Sequence, residues 1–427
     1  MLDQLPDELL LAVMVALDSP SSGTHRYSHR QRDLGALCLV SRRLCRIAQP
    51  VLQQQVEIGD NIGQLFWWLN QPDPARGAVR RNARAVTVHE PWTFSLDHVA
   101  FLLQLFTSVQ ELRLVGDKDE FSPKLLSPHS NLRRLCLDGL DLDERDCVAL
   151  PLLEVLHLRN TYLSDEFMDE WITSASFPSL KAYNPGDHLL PPPTRLLATF
   201  SKLELVQCWY PSADYVARHG DGDNPTFLFE LDVTTLDCDD IEVLPRHVLL
   251  RTEDECFQHV FIGWETDLLE ALPHLVKLVK RQPPSAVDGQ GGTLILPPCL
   301  LDLQRYVDAL ADEGDGDSDG DGDDALDHLD PDPADNRNLE TGSGSDSDSD
   351  TASDDSWSFN RSSGSYTPNP RTHRLYGRLV AACARAGRTI LYDECEDPHV
   401  EYVSETFWAH LRRTRRAREG TTSGREL

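Results

Sequence analysis

The sequence has no run of apolar residues near the roughly 18 that a membrane helix needs. Asp3, Asp7 and Glu8 interrupt its first apolar stretch, so no secretory leader is expected. Its ten cysteines are scattered from Cys38 to Cys395 and form no C-x-x-C pair, which fits reduced, mostly structural thiols. Catalytic motifs are missing too. There is no G-x-S-x-G and no P-loop. His89 and Glu90 begin an H-E-x-x-H pattern that fails at Thr93. Gly320, Gly322 and Ala325 fit G-x-G-x-x-A only inside an acidic tract, with no strand before them. The histidines show no ligand spacing. These absences point away from an enzyme, a bound metal or a cofactor. They point toward a soluble protein of the cytoplasm, the nucleus or both.

Basic charge is scarce, with 40 Lys plus Arg against 70 Asp plus Glu and a net charge of -30. The excess is local. Residues 311–355 hold 18 acidic residues against one basic residue, Arg337. This Asp/Gly and then Asp/Ser tract has too little apolar surface to order. Asp315, Asp317, Asp319 and Gly320 resemble the start of an EF-hand calcium loop, but Leu326 stands where the bidentate Glu belongs. Specific calcium binding is therefore not expected. Ser343, Ser345, Ser347 and Thr351 each precede an acid by three residues, a spacing that acidophilic kinases read.

What is present at the N-terminus is helical. Leu5, Leu9, Val13 and Leu17 recur every four residues, widened by Leu10 and Met14. Pro6 suits a first turn, and Asp7 and Glu8 favour the positive end of the helix dipole. The polar stretch from Asp18 to Arg32 reads as a loop. Asp33 is then expected to cap a second helix that carries Leu34, Leu37, Val40, Leu44 and Ile47 and ends or bends at Pro50. These two segments resemble an F-box. The opening matches at Leu5, Pro6, Glu8, Leu9, Leu10 and Leu17. The second helix, DLGALCLVSRRLCRIA, matches at Asp33, Leu34, Leu37, Val40, Ser41, Arg42, Leu44 and Ile47. The intervening loop is longer than the family's.

Weak repeats follow. NLRRLCLDGLDL from Asn131 and LLEVLHLRNTYL from Leu152 share L-x-x-L-x-L-x-x-x-x-L, and more degenerate copies flank them. Taking residues 83, 109, 132, 153, 180, 200 and 228 as first apolar positions, the spacings are 26, 23, 21, 27, 20 and 28. They resemble leucine-rich repeats, whose periods run from about 20 to 29. The leucines of each short strand would point inward, and stacking would build the core. Helices over Asp97 to Phe106 and Asp165 to Ala175 would fill the return legs. After the acidic tract, Leu375 to Gly387 reads as a helix and Thr389 to Cys395 as a strand.

The expected organisation is an α/β chain. A helical F-box (1–58) precedes an irregular leucine-rich-repeat-like solenoid (59–310) and a disordered acidic linker (311–372). A terminal helix–strand element (373–403) and a basic tail (404–427) follow. The layout is similar to that of F-box proteins of filamentous fungi. The resemblance implies a substrate receptor of an SCF-type cullin-RING ubiquitin ligase. It would contact the Skp-family adaptor, and the cullin through it, by Leu5, Pro6, Leu9, Leu34, Leu37 and Val40. Its substrate, an unidentified protein, would lie on the repeat face that carries the outward residues Arg113, Arg134, His157 and Arg159. That basic tint suits an acidic or phosphorylated target. Neither membrane nor nucleic acid is an expected partner. The competing expectation is a repeat scaffold outside the ubiquitin system that holds a basic partner on its acidic tract.

Overall fold

The computed structural model describes residues 5–18, 27–58, 81–89, 96–143, 147–186, 188, 193–210, 215–216, 225–232, 244–251, 263–282, 291–296, 370–392 and 404–423. It is a mixed α/β structure. None of its described helices is long and apolar enough to cross a membrane.

Three helices open the chain: α1 (Asp7–Asp18), α2 (Tyr27–Val40) and α3 (Arg42–Leu52). Leu10 and Met14, one turn apart on α1, meet Leu34 of α2 and Leu44, Ala48 and Val51 of α3 in a small core of their own. The second helix differs from its expected form. It starts at Tyr27, inside the stretch expected to be a loop, and residues 19–26 lie outside the described part. Tyr27 to Arg32 hold no glycine or proline, so nothing in this stretch breaks a helix. Asp33 is thus interior to α2. The cap belongs to Ser41, whose extended backbone (φ -156°, ψ 156°) separates α2 from α3 and whose Oγ accepts from Leu44 N at 3.2 Å. Pro50 does not end α3, which runs on to Leu52, with Gln53 N donating to Gln49 O at 3.0 Å.

Among the described residues, eleven parallel strands then form one sheet, and each pairs with its neighbours in chain order. They are β1 (Gln55–Ile58), β2 (Ala85–His89), β3 (Glu111–Phe121), β4 (Arg134–Leu142), β5 (Val155–Arg159) and β6 (Ala182–Asn184). The remainder are β7 (Leu205–Trp209), β8 (Thr226–Asp232), β9 (His247–Arg251), β10 (Gly292–Leu296) and β11 (Arg388–Tyr392). The connections carry α4 (Leu96–Leu105), a 3-10 turn (Pro123–Leu126), α5 (Asp165–Trp171), α6 (Pro193–Thr199), α7 (Gly263–Lys280) and α8 (Pro370–Arg385). The last helix is α9 (Glu405–Ser423).

A backbone ladder sets the register just ahead of the strands. The N–H groups of Arg84, Gln110, Arg133, Glu154, Lys181 and Glu204 donate in turn to the carbonyls of Gln54, Arg84, Gln110, Arg133, Glu154 and Lys181, at 2.7 to 2.8 Å. The first apolar residue of each strand motif sits one position before this ladder, so the sixth is Leu203 and not Phe200. The seventh differs as well. Leu228 points to the opposite face from Phe227 and Phe229, because alternate strand residues face opposite ways.

The first face of the sheet packs on the connecting helices. Leu112, Leu114, Leu135, Leu137, Leu156 and Leu158 are buried there with side chains of α4, α5 and α6. Trp171 anchors this layer, donating from Nε1 to Val148 O at 3.0 Å between Phe167 and Phe177. Strands β9 to β11 cover α7 and α8 in a second cluster. Here α8 begins at Pro370, three residues inside the expected linker. Gly387, at φ 65°, takes the left-handed conformation that lets the chain leave α8 and enter β11.

Candidate functional site

Two surfaces are candidate sites. The first belongs to α1 and α2. On α1 the buried pair Leu10 and Met14 is flanked on either side by exposed pairs, Leu9 with Val13 and Leu11 with Val15. Leu39 and Val40 end α2, 89% and 69% exposed. These six make up most of the eight large apolar side chains exposed among the described residues. An arginine clamp holds the unit together. Arg43 Nε and Arg46 Nη2 donate to the Asp7 carboxylate at 2.8 and 2.9 Å, and Arg43 also reaches Leu5 O. The Arg43 hydrogen bond, with the charges of both arginines, holds the Asp7 carboxyl below its ordinary value against the opposing effect of burial. Of the six predicted adaptor residues, Pro6, Leu9 and Val40 are exposed. Leu5 and Leu37 are partly buried against the helical core, and Leu34 lies within it. Arg43 and Arg46 escaped the sequence reading because their partner, Asp7, lies 36 and 39 residues away.

The second surface is the other face of the sheet. Register places Arg113, Cys136, His157 and Asn184 side by side across β3 to β6. Arg113 and His157, expected to face outward into solvent, are 2% and 6% exposed. They do lie opposite the leucines, but strands stand only about 4.8 Å apart, so neighbouring side chains shield each other. Asp138 approaches Arg113 at 3.8 Å. Burial pushes the His157 imidazole down to about 4, despite the carboxylates of Glu230 and Asp138. Arg134 and Arg159 remain half-buried.

Farther along, Glu230 is a buried hub. Its Oε1 accepts from Asn184 Nδ2 at 3.1 Å and from Gln207 Nε2 at 2.8 Å, and its Oε2 faces Arg251 Nε at 3.4 Å. Burial opposes its charge, yet Arg251 and Gln207 hold the carboxyl below the ordinary range. The apolar residues of this face are Val155, Ala182, Leu205, Leu228, Leu249 and Ile295, and Phe407 and Trp408 of α9 cover them. The expected basic tail is therefore a helix seated on the sheet. The aromatic pair was the signal for it, hidden beside a conspicuous run of arginines.

The EF-hand-like loop and the kinase-type serines lie outside the described residues. Comparison with protein-family models and with curated proteins gives no match for this chain.

Proposed function

We propose that the chain is a substrate-recognition adaptor of an SCF-type cullin-RING ubiquitin ligase, with α1 to α3 as an F-box and the parallel sheet as a leucine-rich-repeat-like substrate domain. The observation that carries this reading is the apolar surface of α1 and α2. Six exposed aliphatic side chains on one small helical unit are costly in water, and a partner that covers them removes the cost. A helix-in-groove contact is the fitting mode. The match of these helices to the F-box pattern names the partner: the Skp-family adaptor. Strands that follow one another in chain order, with a buried L-x-x-L-x-L motif in several of them, support the repeat reading. The receptor then acts by raising the concentration of substrate near the ligase. Substrate is assigned to the second face, with Arg134 and Arg159 as the predicted contacts left half-open.

The test is a pull-down of purified Skp-family adaptor by the full chain and by a Leu9→Asp, Val40→Asp variant. Both positions are exposed, so the fold survives the change. Capture by the wild type and at least tenfold loss in the variant is expected. If the wild type does not capture the adaptor, the reading fails. The scaffold with a basic partner then takes its place, and deleting residues 311–355 would abolish that partner's binding.

A further inference from the structure

We propose that the second face of the sheet, from β5 to β10, is a docking surface for a basic helix anchored by an aromatic pair, and that α9 fills it in cis as a displaceable strap. This goes beyond the adaptor reading and does not depend on it.

The first argument is how α9 is held. No backbone hydrogen bond joins it to the sheet among the described residues. The polar contacts are made through side chains. Gln207 Oε1 accepts from Ser404 N at 2.7 Å. Trp408 Nε1 donates to Glu204 Oε2 at 3.2 Å. Arg415 donates to Glu204 O at 3.3 Å and Thr226 Oγ1 at 3.2 Å. Each is a contact that a partner's helix can make equally well, because strand pairing plays no part in it. The other helices of the sheet fill the two large cores of the first face, whereas α9 enters the smaller cluster of the second face through Phe407 and Trp408.

The second argument is composition. In this 19-residue helix Phe407 and Trp408 are fully buried, while Arg412, Arg413, Thr414 and Arg416 are exposed. A helix with two buried aromatic anchors in its first turn and exposed arginines after them is built like a ligand in a groove. The receiving surface is complementary. Phe407 lies 5.1 Å from the His247 ring, between centroids. Arg412 stacks 3.8 Å over Trp408 and approaches Glu204 at 3.9 Å. Glu204 thus meets the indole and two arginines. The pattern that the surface reads is Ser, then Phe-Trp three and four residues on, then arginines one and two turns later.

The third argument is reach. Eleven residues, 393–403, join β11 to α9. Any eleven residues, fully extended, span about 36 Å, which sets the upper limit on how far α9 could move while β11 stays paired. Ser404 is the hinge-side fastening, and its Oγ also caps the helix by accepting from Phe407 N at 3.3 Å.

The experiment uses a fluorescein-labelled peptide of residues 404–423 and the full chain, either wild type or Phe407→Ala, Trp408→Ala. The variant's own strap lacks its anchors, so it is expected to bind the peptide at least tenfold more tightly than the wild type. A peptide with the same two alanines should not compete. Equal binding by the two proteins, or no binding to a variant with an unchanged circular dichroism spectrum, overturns the proposal. If the double variant fails to fold, Ser404→Ala replaces it, since that change removes only the cap of the strap and leaves the surface intact. A several-fold gain in peptide binding supports the proposal, and no gain overturns it. Hydrogen exchange of the wild type gives an independent reading. Amides of α9 should exchange at least tenfold faster than those of β7 and β8, and equal protection would make α9 an ordinary core element.

Discussion

His157 is the residue where burial matters most for behaviour in solution. It is neutral in the folded chain, with its proton affinity pushed down to about 4 by burial, against an ordinary value near 6.5. The unfolded chain therefore binds the extra proton first. The stability it contributes is complete above about pH 6.5 and is lost as the pH falls toward 4, by up to about 3 kcal/mol. We predict that His157→Gln flattens the pH dependence of urea unfolding between pH 6.5 and 4, and that the imidazole resonances of the wild type titrate near 4. Trp171 is the residue where packing matters most. It is fully buried, hydrogen-bonded and held between two rings. Trp171→Ala should cost about 3 to 5 kcal/mol, read as a lower denaturation midpoint.

At the scale of elements, charge decides how neighbours are fastened. Arg133, Glu154 and Lys181 form a row along the strand starts, with Arg133 and Lys181 on the two oxygens of Glu154 at 2.9 and 2.8 Å. The Lys181 hydrogen bond is the larger cause of the depressed Glu154 affinity for protons. Glu204 is next along that row and takes Trp408 and Arg412 of α9 in place of another strand's cation. At the other end of the chain, Arg43 fastens α1 to α3. Arg43→Ala should therefore raise amide exchange in α1 while leaving the sheet unchanged. Faster exchange throughout the sheet would mean that the helical unit and the sheet open together.

At the scale of the whole molecule, the backbone of each described strand pairs only with its chain neighbours, so local defects stay local. The β9 to β11 end depends on one buried arginine. Arg388 Nε donates to Gln282 Oε1 at 2.6 Å, and its other nitrogens reach the carbonyls of Leu244, Pro245 and Arg246. Arg388→Ala should cost about 2 to 3 kcal/mol by stranding those acceptors. Hydrogen exchange should place the loss in β9 to β11, with β3 to β6 unaffected. What the sequence alone determined is the periodic part. Leucines two and three residues apart specify short strands with one buried face, and four-residue spacing specifies α1, because one element's geometry is enough to produce both patterns. The seat of α9 was not legible, because it depends on residues distant in the chain, whereas the break at Ser41 rests on a local cap to Leu44 that the expected single helix passed over. The same holds for the site. Leu9, Leu34 and Val40 all fit one motif, yet Leu34 is buried while Leu9 and Val40 are exposed. Arg113 and Arg134 are both polar strand residues of the second face, yet only Arg134 keeps appreciable access to solvent. Exposure is a property of what packs alongside, and only the tertiary structure decides that.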